Sequence, residues 1–203
     1  MQFREHVKQL LPSRGLLRCY YPRLPRALAF RAPPADSMGI TFREAVAEVE
    51  LGLVAGDQLS DIATAGLLEG YESPALVTLA GQFGEPYDPV EAERLWTMAL
   101  GELNLANEGR LASAKLLVRA YARQVADGEL PPQLGASKIS GLHRLTAHTG
   151  CDGRRAGDCI GAAGILALFY AHDGHGYLNP RESERIDQAI MNECQRLAVE
   201  QPA

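Results

Sequence analysis

The chain has 203 residues, 46% of them hydrophobic and 22% charged, with a formal net charge of −5. This composition excludes a disordered chain and fits one domain, or one domain with a tail. The longest apolar-leaning run, Ile160 to Ala171, has the length of a buried helix and falls short of the roughly 20 residues a membrane span needs.

Charge is unevenly placed. Residues 1–37 carry seven basic residues against Glu5 and Asp36, a net of +5, whereas residues 38–203 carry 13 basic and 23 acidic residues, a net of −10. A body that acidic repels phosphate backbones, so no nucleic acid is expected as its ligand, and a basic partner protein or a cation is.

In chain order, the first segment is the least protein-like. From Leu11 to Pro34 the sequence reads LPSRGLLRCYYPRLPRALAFRAPP, where prolines interrupt any helix and neither helical nor strand periodicity is present. Arg outnumbers Lys 17 to 3 over the chain, a bias of GC-rich coding DNA, in which an upstream start is easily mis-assigned. Met38, just before a strong helix start, is therefore a candidate initiator. The alternatives are a disordered segment, an Arg-rich transit peptide, or a basic arm in which Arg18, Tyr20, Tyr21, Arg23 and Arg26 touch RNA or anionic lipid.

From Thr41 onward the punctuation is helical. Thr41 with Glu44 forms a capping-box pattern, and Ser73-Pro74, Asp88-Pro89 and Asn179-Pro180 each pair an N-cap side chain with proline at the first helical position. Glu91 and Glu182 stand three residues after their caps and complete the same box. Gly56, Gly70 and Gly128 follow helical runs as expected C-caps. The first helix is expected to bury Phe42, Val46, Val49 and Leu53. The one after Asp88 places Ala92, Leu95, Trp96, Ala99, Leu100 and Leu103 on one face, with Trp96 as core anchor and Glu91, Glu93, Arg94 and Glu102 off it. A later helix buries Leu117, Tyr121 and Val125, and the last uses Ile186, Ile190, Cys194 and Leu197. No segment alternates apolar and polar residues. The expectation is an all-α fold: one antiparallel bundle of seven or eight helices over residues 38–203, without a sheet.

The stretches LLEGYESPALVTLAG, AERLWTMALGEL and YARQVADGELPPQLGA resemble a group of uncharacterised all-helical bacterial proteins, over about residues 42–140. The group's pattern falls here on Ala122, Val125, Gly128, Leu130, Pro132, Gly135 and Ala136. The resemblance implies helical structure and no particular activity.

Catalytic patterns are missing from the sequence: there is no GxSxG, no Walker loop and no GxGxxG before a helix. A carboxylate pair such as Glu48 and Glu91 reads as solvated helix faces. Cys19, Cys151, Cys159 and Cys194 contain no CxxC, and no secretory h-region precedes them, so free thiols in a reducing cytoplasm are expected. His148, Cys151, Cys159, His172 and His175 offer nitrogen and sulfur ligands within 28 residues, but their spacing matches no zinc module, and Arg154 and Arg155 oppose a divalent ion.

Residues 171–182, AHDGHGYLNPRE, resemble a degenerate EF-hand loop. The resemblance puts Asp173 at position 3, Gly176 at the turn position 6, the Tyr177 carbonyl at 7, Leu178 at 8, Asn179 at 9 and Glu182 at the bidentate position 12. Ala171 supplies no oxygen at position 1, and His175 occupies position 5. Asp173 and Glu182 are thus the candidate metal ligands, for calcium. The alternative is a helix–turn–helix connection in which Gly, Asn and Pro make a turn and cap the last helix.

Together these features predict a non-enzymatic cytoplasmic protein-interaction module with an acidic surface and no cofactor. The alternative is a metal-binding regulator or metalloenzyme built on residues 148–182.

Overall fold

The computed structural model describes residues 40–82, 88–105, 109–146, 156–173 and 179–199, all within the helical unit Ala35–Ala203. The segment 1–37 and the candidate initiator Met38 lie outside the described residues. The described residues form eight α-helices and no strand: α1 Phe42–Glu50, α2 Leu59–Leu68, α3 Pro74–Ala80, α4 Pro89–Glu102, α5 Arg110–Ala126, α6 Pro132–Thr146, α7 Ala163–Asp173 and α8 Pro180–Val199. Single 3₁₀ turns, Gly56–Gln58 and Asp158–Ile160, precede α2 and α7.

The helix starts follow the sequence closely. Thr41 Oγ1 accepts the Glu44 N–H while Glu44 Oε2 accepts the Thr41 N–H at 2.8 Å, a complete capping box. Ser73 accepts from the Leu76 N–H at 2.9 Å. Asn179 Oδ1 accepts from the Glu182 N–H at 3.0 Å, and the Glu182 carboxylate accepts from the Asn179 N–H at 3.3 Å. Asp88 caps α4 through the Val90 and Glu91 N–H groups, but Glu91 does not complete a box. Its carboxylate turns along the helix surface to Arg94, with bonds of 2.6 and 2.8 Å, because a guanidinium one turn away is the stronger donor.

Helix ends show one clear departure. In α1 the left-handed residue is Gly52, not Gly56: the Gly52 N–H bonds the Val49 carbonyl and the Leu53 N–H bonds the Glu48 carbonyl, a Schellman closure. The capping glycine therefore comes four residues before the expected one. Leu53 falls beyond the cap and is 45% exposed, while Leu51 takes the buried place. Gly70 and Gly128 close α2 and α5 in the same way, and Asn104, at φ 54°, closes α4.

Side-chain pairs along α1 and α5 establish their relative direction. Glu44 near the start of α1 meets Arg123 near the end of α5, Glu48 meets Tyr121, and Glu50 meets Ser113 near the start of α5. The two helices are antiparallel. Two more carboxylates tie helix ends to helix starts: Glu69, capping α2, accepts the Phe42 N–H at 2.7 Å, and Glu102 at the end of α4 accepts the Ala75 N–H at 3.2 Å. Both place negative charge at a helix N-terminus, where the backbone dipole favours it.

The buried side chains gather into two cores. The N-terminal core joins Phe42 and Val46 of α1 with Leu59, Ile62, Leu76, Leu79, Leu95 and Trp96 from α2–α4. Phe42 is its centre, 4.7 Å from the Tyr71 ring and 6.1 Å, edge-on, from Trp96, and Gly66 leaves the space its ring occupies. The C-terminal core joins Ala47 and Leu51 with α5–α8, including Leu117, Tyr121, Val125, Ile139, Leu166, Ile190 and Cys194. Among the described residues, only α1 is a helix with buried side chains in both cores.

Candidate functional site

The richest polar cluster is the seam between α1 and α5. Glu44 is buried, 4% exposed, and its two carboxylate oxygens accept from Arg123 Nη1 and Nη2 at 3.1 and 3.0 Å. The paired carboxylate holds the Arg123 guanidinium above its ordinary pKa. Beside it Tyr121 donates its hydroxyl to Glu48 at 2.7 Å, and Lys138 Nζ lies 4.6 Å from the centre of the Tyr121 ring. Burial, with the neighbouring Glu48 charge, pushes the Tyr121 phenol far above its usual range. It stays a protonated donor at every physiological pH.

Further along, Ser113 donates a short hydrogen bond to Glu50 at the floor of a pocket lined by Arg43, Val46, Ala47, Leu105 and Leu116. A serine beside a carboxylate and an arginine invites a catalytic reading, but the geometry refuses it. Ser113 is 3% exposed, and the pocket is a small one with room for little beyond water. The seam is structural: it satisfies three α1 carboxylates and fixes the pairing of two helices.

The residues singled out from the sequence do not converge. Glu48 is engaged by Tyr121 and Glu91 by Arg94, on different helices. Trp96 is a core residue, as expected. Of the histidine–cysteine set, Cys159 lies in the 3₁₀ turn before α7 and His172 in the last turn of α7; His148, Cys151 and His175 lie outside the described residues. Among the described residues no three His, Cys, Asp or Glu side chains come within reach of a common ion.

The cysteine expectation needs correction. Cys194 is free and buried, and burial pushes its thiol up to about 11, but Cys159 is disulfide-bonded. The free-thiol expectation rested on an expected reducing compartment, whereas a disulfide depends on which sulfurs the fold brings together.

At the proposed calcium loop, Asp173 is the last residue of α7 and Pro180 the first of α8. Positions 174–178 lie outside the described residues. The Glu182 carboxylate accepts from the Asn179 N–H in the α8 capping box, as the cap pattern in the sequence leads one to expect.

What the sequence reading missed is how the body's charge divides between the two cores. Residues 38–105, which supply α1–α4, contain twelve acidic and two basic residues, whereas residues 106–203, which supply α5–α8, contain eleven of each. The whole −10 of the body belongs to the N-terminal part. Of its two cations, Arg94 is clasped by Glu91. The signal was available to counting, but the boundary at which to count is set by the cores.

No known family profile matches this chain, and neither a curated protein nor a solved structure is similar to it. The functional reading therefore rests on its own residues.

Proposed function

We propose that this chain is a non-enzymatic interaction module whose acidic α1–α4 surface docks a basic partner protein. The observation that carries this reading is the charge division: ten net negative charges in the N-terminal part against none in the C-terminal part. Uncompensated surface charge of one sign steers oppositely charged partners and raises their association rate. The buried polar groups support the same reading, because those at the α1–α5 seam are committed to holding helices together. No described helix is long and apolar enough to cross a membrane.

The test is affinity capture of the native protein, followed by a titration of the captured partner against ionic strength. A stoichiometric basic partner whose affinity falls steeply with salt is the expected result. A protein that captures no partner reproducibly, or one whose binding ignores salt, rejects the reading.

A cytoplasmic location belongs to the same proposal and stands against the Cys159 disulfide, which a reducing compartment does not keep. Differential alkylation in intact cells decides between them: Cys159 labelled before reduction supports the cytoplasm, and Cys159 labelled only after reduction rejects it.

A further inference from the structure

The outer faces of α2, α3 and α4 combine two properties. The first is exposed apolar surface: Leu68 on α2 is 75% exposed, Val77 on α3 56%, and Val90 and Met98 on α4 74% and 43%. α3 packs against both α2 and α4, and its exposed residues, Pro74, Val77 and Thr78, carry no charge. Single exposed apolar side chains are ordinary on any protein, and apolar exposure alone names no partner. The second property does. Asp61 and Glu93 are exposed on α2 and α4, Glu72 in the turn between α2 and α3 and Asp57 in the 3₁₀ turn before α2, and none has an ion-pair partner among the described residues. The one cation on these helices, Arg94, is already held by Glu91.

We propose that the outer face of α2–α4 is the docking surface for a short cationic amphipathic segment of a partner protein, whose apolar side chains cover Leu68, Val77 and Met98 while its Lys and Arg residues meet Asp57, Asp61, Glu72 and Glu93. The proposal rests on the interaction reading above and locates it. A helical segment with apolar residues at i, i+3, i+4 and i+7 and a basic opposite face is the chemistry that satisfies both properties at once. A second copy meeting it through the same face does not, because that would set like charge against like. An anionic membrane fails for the same reason.

The probe is a synthetic amphipathic peptide of leucine and lysine at that helical spacing, titrated by fluorescence anisotropy against the full chain. Binding that weakens with added salt is expected, with at least a tenfold loss in Leu68→Lys/Val77→Lys and no loss in Leu145→Lys, an exposed position on α6. Leu68→Gln/Val77→Gln removes only the apolar contact and is expected to lose affinity to a smaller extent, which keeps the test valid if the lysine variant folds poorly. The location is overturned if the peptide binds wild type and both double variants equally, or if Leu145→Lys loses as much. It is overturned too if a lysine-only peptide binds as tightly, since apolar surface would then play no part. Failure of wild type to bind the peptide at all rejects this surface, while a salt-sensitive basic partner captured elsewhere on α1–α4 would leave the broader reading standing.

Discussion

At Glu44 a charge sits almost out of water, and its tolerance depends on three donors: the Thr41 N–H and both ends of the Arg123 guanidinium. Arg123 is 43% exposed at its side chain against 6% for Glu44, so the pair is screened from one side. Arg123→Met should cost about 1–3 kcal/mol, the penalty of leaving a buried acceptor poorly satisfied. Urea unfolding measures it, and adding Glu44→Gln should restore part of the loss; a double variant no better than Arg123→Met refutes the pairing as the cause. Cys194 makes a simpler prediction. Burial raises its thiol to about 11, so the thiolate is a small minority at pH 8 and the sulfur is enclosed. Alkylation in the native state should be slow and should become fast on unfolding. Rapid native labelling would show that α8 opens far more readily than its core contacts imply.

Two glycines on α6 separate close packing from open space. A methyl group at Gly135 would overlap the buried Val125 side chain of α5, whereas one at Gly141 meets nothing within 4 Å. Gly135→Ala should therefore destabilise by about 1–3 kcal/mol through overpacking, despite better helix propensity. Gly141→Ala should stabilise by up to about 1 kcal/mol. Thermal unfolding of the two variants gives shifts of opposite sign, and shifts of the same sign would contradict the close α5–α6 contact. At the start of α8 the capping role of Glu182 predicts that Glu182→Gln is nearly neutral, since glutamine serves the same box. If Asp173 and Glu182 hold calcium instead, saturating calcium raises the melting temperature of wild type and Glu182→Gln abolishes the rise; a melting temperature indifferent to calcium in both proteins retires the ion site.

Across the molecule, α1 is the described helix that contributes buried side chains to both cores. Trp96 is the only tryptophan and lies in the N-terminal core, so its fluorescence follows α1–α4, while far-ultraviolet circular dichroism follows every helix. In wild type the two signals should change together on denaturation. Ala47 is 3% exposed at the junction with the C-terminal core, and Ala47→Asp would bury an unpaired charge at a cost of about 3–5 kcal/mol. The fluorescence and circular-dichroism transitions should then separate. Coincident transitions in the variant would mean that the cores are coupled through something other than α1.

Local chemistry made much of this fold legible. Thr41, Ser73, Asp88 and Asn179 announce helix starts because a cap side chain acts on backbone groups two or three residues away, within reach of sequence reasoning. The apolar faces ending in Tyr121, Val125, Ile190 and Cys194 are visible because helical periodicity is itself local. The end of α1 was misplaced because Gly52 and Gly56 are both competent caps, and the choice between them fell to the burial of Leu51. Whether Glu91 would close a box or turn to Arg94 is a competition between two nearby donors that spacing does not rank. Glu48 reads in the sequence as a solvated helix face and Glu44 as a capping residue; only the antiparallel approach of α5, 63 to 79 residues away, brings Glu44, Glu48 and Glu50 onto Arg123, Tyr121 and Ser113. The division of charge was written in the sequence, but its meaning came from tertiary structure, since long-range packing decides where one core ends and the next begins.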